Sequence, residues 1–487
     1  MPTGMMPSTS QTRTDSRSAA HSAAAAIPAS QFLGKRIHFI GIGGSGMSGL
    51  ASMLLDAGAI VTGSDPKPNA QVFELIRRGA KVSRDQIGEL LNRQIDLVVR
   101  TAAVPASNGE FKAAAALGLQ QVKYAEMLGM VMAERLGVAV AGTHGKSTTT
   151  AMIAYALIQC GADPSFVVGG SVPQLGGGSR SGGGNAFVAE ACEFDRSFHR
   201  LRPTVALITN IEEDHLDCYR DIQEIVESFH HFAELAPSAG KVIANGQDAH
   251  VRQALKGIDV PIEWVGLGGG LDWSSRVIGI KRGCYRGVVL YRGRELGVLE
   301  LSVAGEHNLF NATMAVAACV SCGIEPERAI AALAGFTGVD RRMTVVGTVN
   351  GAKIVDDYGH HPTEIRATLQ ALRQQYRPRK LFAIFQPHQH SRTRFLLDDF
   401  ANSFQQADQT IVPDIYFVRD SESERQKISA KDLVFLLREN GREAIYLPEF
   451  ADIVAHLRSV AGESDLIVTM GAGNVWEIAR DLAAKPS

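Results

Sequence analysis

The sequence predicts an α/β protein of three domains, on three observations. At 487 residues the chain is too long for one ordinary core, since a domain takes about 100–200 residues. Short apolar runs alternate with helix-period segments almost throughout, as in parallel sheets with helical crossovers. Two glycine clusters each stand between such a run and a helical stretch, where α/β folds bind phosphate groups.

In the first block, Arg36–Ile40 reads as a strand, followed by a glycine cluster and the helical stretch Met47–Ala57. Ala59–Thr62 and Asp96–Arg100 read as further strands, and the block closes near Arg135. The second block opens with strand Gly137–Ala141, a glycine turn and helix Ser147–Gln159. Strands follow at Ala186–Glu190 and Val205–Thr209, with the Gly- and Ser-dense Gly169–Asn185 between them as a flexible loop. Residues 261–303 fit a smaller β-rich piece, and the Ala-rich Asn308–Ser321 is helical. A third block begins near Val339, with strands at Lys353–Val355, Leu381–Phe385 and Leu466–Met470. Gly471-Ala472-Gly473 and a helix through Trp476 follow the last of them. Residues 1–30, rich in Ala, Ser and Thr, read as a disordered tail.

Composition excludes several classes of function. Hydrophobic residues make up 45% and charged residues 21%, with a net charge of −2, so no basic excess points to nucleic acid. No apolar run reaches about 18 residues, and no membrane insertion is expected. Six scattered cysteines form no disulfide framework, which suits a reducing, cytoplasmic setting. Cys319 and Cys322 are spaced C-x-x-C but lie in an Ala-rich helical stretch without a second pair, and read as small buried hydrophobes.

The chemistry-bearing motifs sit at the ends of the strands. Gly41-Ile42-Gly43-Gly44-Ser45-Gly46 fits G-x-G-x-x-G, a diphosphate cradle, and Asp65 ends the next strand, where a ribose hydroxyl can be bound. Alone, this motif suits an NAD enzyme as well as a UDP-sugar. Gly142-Thr143-His144-Gly145-Lys146-Ser147 is a phosphate loop two residues shorter than the usual Walker spacing. Backbone N–H groups cradle phosphates there, Lys146 reaches the terminal ones, and the Ser147 hydroxyl can hold Mg²⁺. An NAD enzyme leaves this second loop unexplained. Glu190, Glu193 and Asp195 follow one strand, and Asn210, Glu212, Glu213, Asp214, His215 and Asp217 follow another. Carboxylates and an imidazole beside a phosphate loop favour Mg²⁺ or Mn²⁺, with Glu190 and His215 as the chosen ligands. His307, Asn308 and Asn311 offer planar hydrogen-bonding groups to a purine, although Asn308 also suits a helix cap. In the third block, His360 and His361 follow one strand, and His388, His390 and Arg392 another. Arg392 can pair an amino-acid carboxylate through two parallel bonds. Arg341 and Arg342 can carry charge to a phosphate across an interdomain cleft.

Together these motifs resemble the Mur ligase family over roughly residues 34–480. Gly41–Met47, Asp356-Asp357-Tyr358-Gly359-His360-His361-Pro362, Gln386-Pro-His-x-x-Ser-Arg-Thr393 and Met470-Gly-Ala-Gly-Asn-Val-Trp-Glu477 are similar to the members that add L-alanine. Members that attach a recycled peptide to the same nucleotide sugar are the nearest rivals. The resemblance implies a UDP-binding Rossmann-like domain at 31–136, a central ATPase domain at 137–338 and a C-terminal Rossmann-like domain at 339–487. It implies an ATP-dependent ligase that joins L-alanine to the carboxylate of UDP-N-acetylmuramate through an acyl phosphate, as a monomer or homodimer. Gly43, Gly44, Ser45, Gly46 and Asp65 would hold the UDP portion. Gly142 to Thr148, with His307, Asn308, Asn311, Arg342 and Asp357, would hold ATP. Ser147, Glu190 and His215 would hold the metal. Tyr358, His360, His388 and Arg392 would line the incoming alanine, with Lys146, Arg342, His360, His388 and Arg392 as the catalytic set. The chain departs from the family at Gln389-His390, where Arg-Tyr is frequent, and at Cys192, where Asp is common.

Overall fold

The computed structural model describes residues 30–101 and 104–484, so the tail expected at 1–30 lies, but for its last residue, outside the described residues. Three sheets carry the chain, in sequence order. The first is five parallel strands in the spatial order Lys81–Ser83, Ile60–Ser64, Arg36–Ile40, Leu97–Arg100, Gln121–Lys123. Arg36–Ile40 therefore lies between the second strand and the fourth, and its carboxyl end opens at the point where strand order reverses. Ligands of open α/β sheets bind there.

The central sheet has ten strands. Leu136–Ala141 is flanked in parallel by Val205–Ile208 and Ala186–Glu190, so the phosphate loop and both acidic loops leave the same edge. All of Val138 to Ala141 is inaccessible to solvent, which explains a continuous apolar run rather than an alternating one. The third sheet runs Thr344–Val349, Ala352–Asp357, Leu466–Met470, Leu381–Phe385, Gln409–Val412, Ala444–Tyr446, and only its first strand is antiparallel. Asp357, Phe385 and Met470 end adjacent strands, gathering their loops at one edge.

Two expectations need correction. Residues 261–303 do not form a separate β piece. Ile262–Leu267 pairs in parallel with Lys241–Asn245, and three long strands, Trp273–Lys281, Cys284–Tyr291 and Arg294–Ala304, extend the same central sheet. Helix Glu306–Ser321 packs across them against helix Lys146–Gln159, and burial of its Ala face is what joins the two halves. Nor is Gly169–Asn185 a plain loop. It holds a 3₁₀ turn at Pro173–Leu175 and strand Ser179–Arg180, paired antiparallel to Ser165–Val167. Its glycines serve close approach: a Cβ on Gly178 would stand 2.7 Å from the Gly170 carbonyl oxygen. Ser179 in turn packs on Gly49 of the first-domain helix Ser45–Asp56, where any side chain at 49 would collide with it.

Smaller shifts follow from cap chemistry. Helix 306–321 starts two residues before Asn308, with Gly305 at its cap, so Asn308 is not a cap; its amide donates to the Ala304 carbonyl at 2.7 Å. The last helix begins at Trp476 rather than running up to it. Cys319 is fully buried and Cys322 partly so, both as free thiols. Among the described residues no helix is long and apolar enough to cross a membrane.

Candidate active site

Glycine geometry builds the first loop. Gly41 takes φ +78°, and a Cβ on Gly43 would stand 2.5 Å from an Asp65 carboxylate oxygen. Asp65 accepts from the Gly43 N–H at 2.8 Å and the Lys67 N–H at 2.9 Å, so both its oxygens brace the loop in this structure. Gly44 and Ser45 are exposed, and the helix that starts at Ser45 has no side-chain cap. Its first N–H groups thus face solvent with the positive end of the dipole. Gly46 packs on Tyr124, whose hydroxyl is held protonated by burial and by the charge of Glu190. The first loop therefore neighbours the central acidic cluster.

The second loop leaves Ala141 through Gly142 at φ +136° and caps its helix with Gly145 at φ +81°. Substitution at either is strained, and a Cβ would meet Thr209 at 142 and the Asn311 side chain at 145. Lys146 Nζ donates to the Gly142 carbonyl at 2.6 Å, the Thr143 carbonyl at 3.1 Å and Glu193 at 2.9 Å. Burial opposes its charge, but Glu193 and Glu190 outweigh it and raise the pKa, so the ammonium stays charged. Glu193 Oε1 also lies 3.8 Å from His215 Nε2. Two buried polar atoms, the acceptor Glu193 Oε2 and the ring nitrogen His215 Nδ1, have no hydrogen-bond partner among the described residues. His215 moreover sits at φ +54°, an uncommon conformation outside glycine that concentrates at functional loops. Orphaned polar atoms beside a phosphate loop fit a bound cation. Glu190 accepts from the Gly169 N–H at 2.6 Å, which fixes one of its oxygens.

A cavity of about 270 Å³ opens beside this loop. His144, Gly145, Ser147 and Thr148 line it from the loop, His307, Asn308 and Asn311 from the Ala-rich helix, and Arg342, Asp357 and Glu364 from the third domain. Its volume and polar lining suit a nucleotide. Gly142, Thr143 and Lys146 stand behind that surface, and Thr143 binds the Glu212 N–H at 2.8 Å. Burial, with Arg342 nearby, drops the His307 pKa to about 4 and leaves the ring neutral. Burial lifts Asp357 to about 6, against the pull of Arg342.

The third-domain cluster meets the central 212–217 loop. Arg392 donates from Nε at 2.9 Å and from an Nη at 2.6 Å to one oxygen of Asp214, and its other Nη contacts His388 Nδ1 at 3.1 Å. This interdomain ion pair is almost fully buried, with side-chain exposures of 7% and 6%. His360 Nε2 is 4.0 Å from Asp214, and its ring is 6.2 Å from that of His388. Burial drops His360 to about 3 and His388 to about 4, with Arg392 adding to both. The Tyr358 ring has the guanidinium groups of both Arg341 and Arg342 against it, their carbons 5.0 and 5.3 Å from its centre. Gln389, at φ +69°, reaches Asp217 across the domain boundary at 3.4 Å. Lys146, His360, His388, Arg392 and Arg342 thus come to one interdomain cleft, while Gly43 to Gly46 and Asp65 belong to the neighbouring loop.

Sequence reading gave no role to Glu364. Its carboxylate receives Arg342 at 3.1 Å and the His360 N–H at 3.0 Å, and lies 3.5 Å from His144. The signal was available: Glu364 stands four residues after His360, in the first turn of helix Pro362–Tyr376, where an acid faces the same ligand edge. Asp214 and Glu193 are legible in the sequence as acids at strand ends, but their partners Arg392 and Lys146 are not.

Comparison with known proteins places the chain in a family. Models described as Mur ligase family catalytic domain, Mur ligase middle domain and Mur ligase glutamate ligase domain match residues 36–136, 140–319 and 341–473. UDP-N-acetylmuramate–L-alanine ligase of Caldanaerobacter subterraneus is 43% identical over 91% of this chain and 96% of its own. That of Pelotomaculum thermopropionicum is 42% identical over 93% and 97%. The crystal structure of UDP-N-acetylmuramate-alanine ligase from Thermotoga maritima superposes with a TM-score of 0.73, at 25% identity over 92% of this chain and 98% of that one. A murein peptide ligase from Psychrobacter arcticus gives a TM-score of 0.65 at 28% identity over 92% and 98%. Matched in order by three family models and along most of its length by such relatives, the chain belongs to the Mur ligase family.

Proposed function

We propose that this chain joins L-alanine to the carboxylate of UDP-N-acetylmuramate with conversion of ATP to ADP and phosphate, a step of peptidoglycan precursor synthesis. The observation that carries the reading is the meeting of Lys146, the Glu193–His215 pair and the His360–His388–Arg392 cluster at one interdomain cleft. Whole-chain relatives that bear this ligase's name support the choice of substrates. We take 31–136, 137–338 and 339–487 as the UDP-sugar, ATP and ligase domains. We infer a cytoplasmic location, which its free cysteines and nucleotide substrates suit.

Gly44, Ser45 and Gly46 bind the diphosphate through backbone N–H groups, and Gly43, whose N–H is held by Asp65, lets the diphosphate approach the loop. ATP enters the cavity between the phosphate loop, His307, Asn308, Asn311 and Arg342. Lys146 then exchanges loop carbonyls for phosphate oxygens. The sugar carboxylate attacks the terminal phosphorus and ADP leaves; the neutral alanine amine then attacks the acyl carbon, and the departing phosphate takes the proton that the nitrogen loses. Lys146 and Arg342 stabilise charge on the transferring group. Ser147, Glu190 and His215 would hold Mg²⁺ or Mn²⁺, which when bound neutralises phosphate charge. His360 and His388 are neutral at pH 7 and too weakly basic to store a proton well. His360 donates from Nδ1 to the Tyr358 carbonyl at 3.2 Å, so its Nε2 suits accepting a hydrogen bond from the entering amine, which orients it; His388 accepts from Arg392 at Nδ1 and positions that guanidinium.

Mass spectrometry of products from UDP-N-acetylmuramate, ATP and mixed amino acids tests the reading. The alanyl amide is expected, lost with EDTA and restored by Mg²⁺ or Mn²⁺. A peptide-only product or metal-independent turnover would overturn it.

Alanine's carboxylate is assigned to Arg392, which Asp214 holds in place until the substrate arrives. Arg392→Lys keeps the charge but loses the planar fork. The KM for alanine should rise at least about 10-fold, on the scale of one charge-assisted bond of roughly 1.5–3 kcal/mol. The KM for ATP should change little. Wild-type behaviour at low alanine would move the assignment to His388 or Arg394.

A further inference from the structure

We infer that His144, Glu212 and His361 form a binding site for a transition-metal dication of the Zn²⁺ type, separate from the Mg²⁺ position and bridging the central and third domains. Nitrogen or oxygen donors of the three side chains lie within 4.8 Å of one another. His144 Nε2 is 3.5 Å and His361 Nδ1 is 3.6 Å from the same oxygen, Glu212 Oε2. Ligands around a tetrahedral ion with bonds near 2.1 Å stand about 3.4 Å apart, so the spacing matches with small adjustments.

The hydrogen bond of His361 outside the trio leaves a lone pair facing inward, while at His144, where burial is outweighed by Glu212 and Glu364 and the pKa rises to about 9, an incoming dication displaces a proton. His361 Nε2 donates to the Glu213 carbonyl at 3.1 Å, so its Nδ1 carries the lone pair. That Nδ1 meets only a long 3.3 Å contact from the Thr363 N–H among the described residues. His144 Nδ1 lies 3.5 Å from Glu364, and its Nε2 is buried with no hydrogen-bond partner among the described residues. Glu212 Oε2 is itself oriented by the Thr363 hydroxyl at 2.6 Å. Imidazoles whose second nitrogen donates to a carbonyl or carboxylate, with an oriented acid, form the outer arrangement typical of metal-ligating histidines. Two imidazoles and one carboxylate favour Zn²⁺, Co²⁺ or Fe²⁺ over Mg²⁺, and leave room for a fourth ligand. His144 and Glu212 line the cavity beside the phosphate loop, so that fourth position opens into it. An ion here would tie the phosphate loop to the helix that begins at Pro362 and hold the two domains together. The inference does not rest on the ligase reading.

The test uses the full chain, stripped with EDTA and desalted, without nucleotide or Mg²⁺. Titration with Co²⁺ should give one strongly absorbing four- or five-coordinate ion per chain, displaced by one Zn²⁺. His361→Ala should weaken binding more than about 100-fold, and Glu364→Gln roughly 10-fold. His215→Ala should bind as the wild type does. Because His361 is buried and caps a helix, Glu212→Gln is the second variant; its side chain is 34% exposed, and it should lose binding while metal-free thermal unfolding shows it folded, with only the stability lost that its contacts to Thr363 and His144 carry. Unaltered binding in both His361→Ala and Glu212→Gln overturns the site, as does loss in His215→Ala. A pale six-coordinate Co²⁺ spectrum, or none, leaves only an interdomain ion pair and equally overturns it.

Discussion

Lys146→Ala should reduce turnover by about 10²–10³ while UDP-sugar affinity stays within about twofold, because the lysine contributes where charge develops and not at the Gly43–Gly46 loop. The structure adds a complication. Nζ is the charged partner of Glu193, whose side chain is only 3% exposed. Removing one member of such a pair leaves an unpaired buried charge and costs roughly 3–5 kcal/mol. A loss of activity could therefore come from a collapsed loop. Lys146→Ala with Glu193→Gln separates the two causes, since it removes both charges. Calorimetric titration with UDP-N-acetylmuramate and thermal unfolding should show the double variant folded and binding the sugar nucleotide. Turnover in the double variant should remain as low as in the single one. Recovery of activity would mean that Lys146 serves only to neutralise Glu193, and loss of sugar-nucleotide affinity would contradict the separation of the two loops.

How far the sequence reaches depends on the range of the interaction. Strands such as Ala186–Glu190, Leu381–Phe385 and Leu466–Met470 have the residue limits that their apolar runs indicate, because burial on both faces leaves an uninterrupted pattern. The glycines of both phosphate-type loops were also legible, since a positive φ or a close approach excludes other residues. Gly169–Asn185 misled for the same reason: glycines that permit backbone packing look like those of a free loop. The joining of 262–304 to the central sheet depends on which edge the strands choose, and local pattern does not encode that. Partnerships across domains were least legible. Asp214 with Arg392 and Glu364 with His144 are separated by 178 and 220 positions, and nothing in either local segment names the other.

Asp214→Ala tests one of these long-range dependencies on function. Asp214 is 6% exposed and is the only carboxylate seen on Arg392 among the described residues. Burial opposes its charge, yet Arg392, with His215 and His360, holds its pKa well below the ordinary value, so the pair is charged at pH 7. Loss of the carboxylate leaves a guanidinium buried and unpaired at an interdomain surface, a penalty of roughly 3–5 kcal/mol. Folding of each domain need not bear it, because the partners sit on different sheets. The penalty is relieved by separating the third domain from the 212–217 loop. The expected result is a wild-type unfolding transition for the central domain with a weaker domain contact, read as a larger radius of gyration by small-angle scattering. Turnover should drop by about 10² or more, since His360, His388 and Arg392 leave the phosphate loop together. Asp214→Ala with Arg392→Met removes both charges and should restore compactness without restoring the KM for alanine. That split is the informative outcome: compactness follows the pair, and alanine affinity follows the guanidinium. If the double variant also regains alanine affinity, Arg392 acts only as the partner of Asp214, and the carboxylate of the amino acid is held by another group.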